Sequence, residues 1–262
     1  MNSVDGRVGV PSRPDAAAQL PYLNVRWLGR MEFAHALALQ EELVAEKRND
    51  PSFDDQLLLL EHEPVYTIGR APDRSSLLGS THLPHPLFSI NRGGQATYHG
   101  PGQLMGYPII DLRRCGQDLH KYLRWLEQLL IDLLAQYDIM AQRRDSLTGV
   151  WIENRKIASI GVGVRHWITM HGFALNVCSD LSPFGHIVPC GITNVTITSM
   201  EQETKRAFTV AEVAQPIETL ARRKISDLRV ITPVSSVASP SLWEACVEDN
   251  KRRNERDELS QK

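Results

Sequence analysis

The feature that most constrains the fold is one long amphipathic helix in the middle of the chain, at about 118–137. Its apolar residues recur at the three- and four-residue spacing of a single helix face, and Asp118 stands where an N-cap is expected. Strand-like segments follow at Gly149–Glu153, Lys156–Val164 and Met170–Val177. Because these strands read as hairpins and occur beside long helices, we expect an α+β fold in which helices pack on a sheet.

Further elements are predicted on both sides of this central region. They are a strand at Tyr22–Leu28, a helix from Met31 to about Lys47, a buried strand at Leu57–Leu60 and a helix at Thr209–Ile225 that Pro216 should weaken or kink. A tight turn, Glu153-Asn154-Arg155, should join the first two central strands, with Asn154 suited to a positive φ. One catalytic domain is therefore expected at 21–230, between a disordered tail at 1–20 and a flexible tail at 231–262.

Composition excludes several classes of protein. The 262 residues carry a formal net charge of −2, so a global nucleic-acid binder is not expected. We find no apolar run of the about 18 residues that a membrane span needs, and no signal peptide at the N-terminus. The four cysteines lack CxxC or zinc-ligand spacing, which predicts free thiols, no bound metal and a reducing, cytoplasmic location.

A glycine-rich segment at 91–108 is too polar for its apolar surroundings. It contains five glycines, which permit positive φ and close backbone approach. Its polar side chains are Arg92, Gln95, Thr97, Tyr98, His99 and Gln103. A lone Gly-Gly would indicate a turn, but this density predicts a binding loop. It is neither a P-loop nor a dinucleotide fingerprint, because both consensus patterns are absent.

Two further segments hold reactive side chains. Lys156 begins a predicted strand among apolar and small residues, where an ammonium group is costly to bury; a snorkelling or edge-strand lysine is the commoner explanation. Cys190 lies between Pro189 and Gly191, a setting that presents a nucleophile, although most intracellular cysteines are small buried hydrophobes. If the two residues are neighbours, the ammonium would lower the thiol pKa, and the dyad would suit acyl transfer from a thioester to an amine.

These segments together resemble the lipoyl(octanoyl) transferases in order and spacing. The matching stretches are RGGQATYHGPGQLMGYPIIDLR (Arg92–Arg113), GVWIENRKIASIGVGVRHWITMHGFALNV (Gly149–Val177), FGHIVPCGI (Phe184–Ile192) and, upstream, LLLLEHEPVYTIGR (Leu57–Arg70). The resemblance spans roughly Leu20 to Ile225, with Glu63 as one local departure. It implies the fold of biotin and lipoate protein ligase catalytic domains, a mixed β-sheet flanked by helices.

The resemblance also implies an activity and its residues. The enzyme would transfer octanoyl from octanoyl-acyl carrier protein to the ε-amine of a specific lysine on lipoyl domains, the first step of endogenous protein lipoylation. Cys190 would form the acyl thioester and Lys156 would lower its pKa. The implied substrate-binding residues are Arg92, Gly93, Gly94, Gln95, Ala96, Thr97, Tyr98, His99, Ser159, Ile160, Gly161, Gly172, Phe173 and Ala174. The acceptors would be lipoyl domains of 2-oxoacid dehydrogenases and the glycine cleavage H protein, and no cofactor would be required.

Three other functions fit parts of the sequence. An ATP-dependent lipoate or biotin protein ligase shares the fold, but it would need an adenylate lysine and no cysteine. A cysteine hydrolase would pair the thiol with a histidine, and His186 is close in sequence. An acyl- or protein-binding module would keep its function after thiol alkylation. ATP dependence, octanoate release and alkylation distinguish these from the transferase.

Overall fold

The computed structural model describes residues 22–70, 75–77, 83–189 and 195–229. The predictions for the tails at 1–20 and 231–262 lie outside these ranges. Among the described residues, eight strands form the main sheet, and three shorter ones form a second sheet. None of the described helices is both long and apolar enough to cross a membrane.

The main sheet is mixed. Its order is β1, β2, β6, β10, β9, β8, β7, with β11 paired to β9. The strands are β1 (Leu23–Met31), β2 (Asp55–His62), β6 (Gln103–Ile109), β7 (Gln142–Arg144), β8 (Leu147–Ile152), β9 (Arg155–Arg165), β10 (Ile168–Asn176) and β11 (Thr196–Ile197). The β1–β2 and β11–β9 pairs are parallel, and the other pairs are antiparallel. The predicted α+β mixed sheet flanked by helices is confirmed.

Helices cover both faces of this sheet. They are α1 (Phe33–Asn49), α2 (Leu119–Ala135), α3 (Met200–Thr204) and α4 (Val210–Arg229). Leu57 and Leu59 of β2 pack in the apolar cluster that α2 and α4 form, while Leu58 and Leu60 pack in the cluster of α1. Two covered faces explain why β2 is a continuous apolar run without the alternation of a half-exposed strand.

The central helix agrees with its prediction, and its start has a clear cause. The Asp118 side chain accepts a hydrogen bond from the Lys121 N–H at 2.9 Å, which is the expected N-cap.

The proline in α4 is compensated by a residue that follows α2. The hydroxyl of this residue, Tyr137, lies 3.5 Å from the Glu212 carbonyl of α4. That carbonyl would bond residue 216 in an unbroken helix, but Pro216 has no N–H. The Tyr137 hydroxyl donates to this carbonyl in place of the missing N–H, and α4 continues through the proline to Arg229.

One local prediction is wrong. The hairpin between β8 and β9 places Glu153, and not Asn154, at a positive φ of 51°. Ile152 pairs with Arg155, so the loop has two residues, where the sequence had suggested a turn that included Arg155. The first central residue of a two-residue hairpin often needs a positive φ, and Glu153 occupies that position.

The second sheet carries the glycine-rich segment. Its strands are β3 (Val65–Ile68), β4 (Leu87–Ser89) and β5 (Thr97–His99), in the order β4, β3, β5. An apolar cluster of Tyr66, Ala96, Tyr98, Phe184 and Ile187 holds it. Because Phe184 begins the third motif segment, this cluster brings the first and third segments together.

Candidate active site

Lys156 is a buried lysine inside the main sheet. Only 2% of it is exposed, so it neither snorkels nor lies at an edge. It is the second residue of β9 and pairs with Trp151 of β8 on one side and Ile197 of β11 on the other. The backbone carbonyl of Lys156 also accepts a hydrogen bond from Thr198 at 3.0 Å. Strand pairing on both sides therefore fixes the backbone from which this ammonium group projects.

A β-bulge in β9 aims the Lys156 side chain. Trp151 pairs with Lys156 but Val150 pairs with Ala158, which leaves Ile157 as the extra residue. Without the bulge, Lys156 would share a face with Ala158, which packs in the cluster of α2 and α4. The extra residue moves Lys156 to the opposite face, where the predicted site residues Ser159 and Gly161 also lie.

The Trp151 ring contacts two cations, and Lys156 is one of them. The Lys156 ammonium lies 5.2 Å from the centroid of the Trp151 ring, and the Arg144 guanidinium lies 5.0 Å from the same centroid. The ring face is electron-rich and stabilises cations by up to about 2 kcal/mol where water is excluded. Trp151 is fully buried, so its ring excludes water from one side of Lys156.

Arg92 joins the glycine-rich loop to β9. Its guanidinium donates hydrogen bonds to the backbone carbonyl and hydroxyl of Thr67, at 3.0 and 2.9 Å, and to the Gly93 carbonyl at 2.9 Å. The Gly93 N–H donates to the carbonyl of Val162 at 3.0 Å. A Cβ at Gly161 would lie 2.9 Å from the Arg92 Cδ, so only glycine fits there without displacement. The first two motif segments are therefore in direct contact.

The two predicted substrate-binding triplets of the sheet are paired with each other. Ser159 pairs with Ala174, Ile160 with Phe173 and Gly161 with Gly172 across β9 and β10. The side chains of Ile160 and Phe173 belong to the core cluster of α2 and α4. The other four residues, which are small, lie on the opposite face with Arg92 and Gly93.

The rest of the loop is held by its own contacts. Gly94 has a φ of 86°, and Gln95 precedes the buried Ala96. The Tyr98 ring contacts the Phe184 ring edge-on at a centroid distance of 5.7 Å. In β5, Thr97 and His99 are buried strand residues. Strand pairing of 97–99 and the packing of Tyr98 thus join the end of the loop to the second sheet.

Three buried histidines lie in the motif segments: His99, which was predicted from sequence, and His62 and His171, which were not. Burial lowers the pKa of His62 to about 4, of His99 to about 3 and of His171 to about 4. The positive charge of Arg92 adds to the depression at His99 and His171. The three rings are therefore neutral at pH 7. The sequence did contain a signal for them, because each lies in a motif segment.

Cys190 lies outside the described residues, and so does Cys246. The described chain reaches Pro189 and resumes at Val195, and the next strand, β11, pairs with β9 at Lys156. The two described cysteines have unreactive settings, since burial raises the pKa of the Cys115 thiol to about 11 and also raises that of Cys178. Neither is a good source of thiolate at neutral pH.

Comparison with known proteins identifies the family. Residues 32–220 match the family described as the lipoyl protein ligase A/B catalytic domain. The octanoyltransferase of Geobacter sulfurreducens is 54% identical over 185 residues, which are 71% of this chain and 77% of that protein. The octanoyltransferase of Geobacter metallireducens is 50% identical over 195 residues, 74% of this chain and 90% of that one. The chain belongs to the octanoyltransferases of this family. The predicted family and the prediction of a transferase enzyme are confirmed.

Solved structures support the fold of this octanoyltransferase family member. A bipartite lipoate protein ligase from Thermoplasma acidophilum superposes with a TM-score of 0.57 at 15% identity, covering 79% of this chain and 85% of that one. A lipoate-protein ligase A bound with ATP gives 0.54 at 14% identity, covering 79% and 86%. The predicted likeness to ligase catalytic domains is confirmed, and at these identities it concerns the fold alone.

Two residues beside the predicted lysine were missed in the octanoyltransferase sequence. Trp151 and Gly149 both stand in the quoted motif segment, two positions apart on β8. In a hairpin with a two-residue loop, the residue two positions before the loop pairs with the residue two positions after it. A loop of Glu153 and Asn154 alone would therefore have placed Trp151 opposite Lys156. The longer turn assigned from sequence hid this pairing.

Proposed function

We propose that this chain transfers an octanoyl group from octanoyl-acyl carrier protein to the ε-amine of a specific lysine on a lipoyl domain. The observation that carries the proposal is the similarity to octanoyltransferases, at 54% and 50% identity over most of both chains. The acceptors are lipoyl domains of 2-oxoacid dehydrogenases and of the glycine cleavage H protein. The reaction is the first step of endogenous lipoylation and takes place in the cytoplasm.

The acyl group passes through Cys190. Its thiolate attacks the thioester carbonyl, the carbon–sulfur bond to the carrier breaks, and the carrier leaves as a thiol. The acceptor amine then attacks the new thioester on Cys190, loses a proton and releases the Cys190 thiolate as the amide forms. The thioester is already activated, so no nucleotide or metal is needed.

Lys156 supports both half-reactions. As an ammonium it favours the thiolate of Cys190 by charge attraction. It gives its proton to the leaving carrier thiolate, and the neutral amine so formed then takes the proton that the acceptor amine loses, which restores the ammonium. Its burial beside the Trp151 ring supports this role, because an electrostatic effect is larger where water is excluded.

The substrate lies along the face shared by the glycine-rich loop and the paired strands. Ser159, Gly161, Gly172 and Ala174 supply only small side chains or none to this face, which lets Arg92 of the loop approach the strand at Gly161. Ile160 and Phe173 contribute through their backbone, since their side chains pack in the core. An eight-carbon chain gains about 0.8 kcal/mol for each buried CH₂ group.

A mass measurement tests the proposal. The protein is incubated with octanoyl-acyl carrier protein in the absence of ATP, and its intact mass is followed before and after hydroxylamine. We expect one octanoyl group on Cys190, removable by hydroxylamine and transferable to an added lipoyl domain. Cys190→Ala should form no adduct, whereas Cys178→Ala should form it normally.

The same experiment separates the alternatives. Octanoylation of the lipoyl domain that requires ATP and free octanoate would indicate a ligase. Release of octanoate without modification of the lipoyl domain would indicate a hydrolase. An adduct that persists in Cys190→Ala with normal turnover would refute the thioester on this residue.

A further inference from the structure

A glycine with an unusual backbone conformation lies against the Lys156 side chain. Gly149 in β8 has a φ of 130°, a region that side-chain-bearing residues rarely adopt. A Cβ at this position would lie 2.7 Å from the Cε of Lys156 and 3.3 Å from its Nζ. It would also lie 2.7 Å from the carbonyl oxygen of Ala158. The end of the Lys156 side chain thus occupies space that only a glycine leaves open.

A buried carboxylate holds this glycine from the opposite side of the sheet. Glu127 of α2 is 1% exposed, and its Oε1 accepts a hydrogen bond from the Gly149 N–H at 3.2 Å. Its Oε2 accepts from Arg124 at 2.7 Å and from Arg143 at 3.0 Å. Two arginines therefore neutralise and orient the carboxylate, which in turn fixes the Gly149 backbone. These hydrogen bonds connect the position of α2 to the position of the Gly149 backbone in β8, because each donor in the series has its acceptor.

The same region also orients the ring beside the lysine. Arg143 binds Glu127, and the next residue, Arg144, stacks on the Trp151 ring. Gly149 and Trp151 lie two residues apart on β8, on the same face of the strand. Lys156 thus lies beside Gly149, which leaves it space, and beside the Trp151 ring. Two residues of β7 hold these neighbours: Arg143 binds Glu127, which binds Gly149, and Arg144 contacts the ring.

We propose that Gly149 is a positioning residue for Lys156, and that the buried Glu127 keeps its backbone in place. The inference rests on the proposed role of Lys156 toward Cys190 and adds to it the residues that set where the ammonium lies. An added Cβ at position 149 pushes the end of the Lys156 side chain away by its overlap with Cε. Coulomb attraction falls with distance, so the thiol pKa of Cys190 rises when the ammonium moves.

The test is the pH dependence of Cys190 alkylation, followed on its peptide by mass spectrometry. In Gly149→Ala we expect the midpoint to rise by about one pH unit, with an about tenfold slower rate near pH 7. Gly116→Ala is the matched control, since Gly116 also has a positive φ, of 80°, but has no atom within 4 Å of a Cβ. It reports the backbone strain alone and should leave the midpoint unchanged.

A double variant separates this role from general distortion. In a Lys156→Ala background, Gly149→Ala should not move the midpoint further, because the cation it displaces is already gone. An equal shift in that background, or in Gly116→Ala, would overturn the proposal. If Lys156→Ala alone leaves the midpoint unchanged, the proposed role of Lys156 fails instead, which is a distinguishable result.

A second variant covers a failure of Gly149→Ala to fold. Glu127→Gln keeps the shape of the side chain, but its one oxygen cannot accept from Gly149 and both arginines at once. We expect a midpoint shift in the same direction but smaller, abolished in the Lys156→Ala background. A folded Glu127→Gln protein with an unchanged midpoint and unchanged transfer rate would contradict the role assigned to Glu127.

Discussion

Two lysines are buried in the part of the chain that the structure describes, and their surroundings differ. Lys47 of α1 is fully buried; its Nζ lies 2.7 Å from the Asp55 carboxylate and 2.6 Å from the Phe53 carbonyl. Asp55 also binds Arg229, at the end of α4. Lys156 is 2% exposed and lies against the Trp151 ring. The first ammonium faces a full negative charge, and the second faces an aromatic quadrupole.

We expect this difference to separate a structural charge from one that takes part in the proposed reaction. The Asp55 carboxylate cancels the positive potential of Lys47 at a distance of a few ångströms. The cluster of Lys47, Asp55 and Arg229 ties α1 and α4 to β2. The Trp151 ring stabilises the Lys156 ammonium, which lies on the face of β9 that carries the predicted site residues Ser159 and Gly161. The comparison predicts that removing each charge damages a different property of the protein.

The largest effects should come from removing either ammonium while keeping its apolar stem. Lys47→Met should lower the free energy of unfolding by about 3 kcal/mol, because Asp55 loses a buried partner. Lys156→Met should reduce octanoyl transfer by about 10²–10⁴-fold, the usual range for a proton-transfer group. Urea unfolding and transfer to a lipoyl domain measure the two properties in both variants. Equal losses of stability, with normal transfer in Lys156→Met, would remove the distinction.

Acid should act on a third group, the buried histidines of the motif segments. In the folded protein the pKa values of His62 and His171 are lowered to about 4 from 6.5. Below pH 6.5 the unfolded chain therefore binds protons that the folded protein does not, so stability falls as pH drops toward 4. Each histidine contributes at most about 1.4 kcal/mol per pH unit.

Unfolding in urea at pH 7, 6 and 5 measures this slope. His62→Gln should flatten it, whereas His120→Gln, at an exposed position of α2, should not. The Lys47→Met and Lys156→Met proteins should keep the slope of the unmodified protein. A slope that disappears in either lysine variant would show that the acid response belongs to the lysines and not to the histidines.

Local patterns account for what the sequence predicted, and long-range contacts account for what it missed. The helix α2 and the strand β2 were found because periodicity and continuous apolarity depend on neighbours in sequence. Glu127 was missed because a charged residue in an amphipathic helix is usually exposed. Its burial depends on the Gly149 N–H and on Arg143, which the sequence does not place beside it.

The motifs predicted which residues form the candidate site. Their arrangement in space could not be predicted, because it depends on how the strands pair. Contact between Arg92 and Gly161 depends on how the second sheet meets β9, which no local pattern encodes. The side on which Lys156 projects depends on a bulge at Ile157. A bulge inserts one residue and reverses every later side chain, so a strand assigned correctly still leaves the facing of its residues undetermined.

A smaller effect should come from the ring beside Lys156. Trp151→Phe keeps a weaker aromatic face, and Trp151→Leu keeps none, so octanoyl transfer should fall in that order. The expected loss is severalfold for the leucine variant, from a contact worth about 1 kcal/mol. Parallel urea unfolding corrects for lost packing. If phenylalanine and leucine variants of equal stability transfer at the same rate, the aromatic face does not matter to Lys156.

The smallest effect should come from docking of the acidic carrier, and the structure selects one arginine for it. The sequence contains three basic clusters: Arg113-Arg114 with Lys121 and Arg124, Arg143-Arg144, and Arg222-Arg223-Lys224. In the first, Arg113 pairs with Asp111 and Arg124 with Glu127. In the third, Arg222 pairs with Glu218 and Lys224 with Asp132.

Arg144 differs from these, because it stacks on the ring that Lys156 also faces. Its charge thus lies beside the proposed reaction centre, where we expect the carrier to rest while its thioester arm reaches Cys190. Arg144→Glu should raise the KM for octanoyl-carrier protein about two- to threefold and flatten its salt dependence, since steering is screened over about 8 Å at physiological ionic strength. Transfer from a small octanoyl thioester, which needs no docking surface, should change much less. Arg222→Glu, on α4, is the control and should affect neither donor. Equal losses with both donors in Arg144→Glu would place the effect in the chemistry around Trp151, and no loss with either would exclude Arg144 from docking.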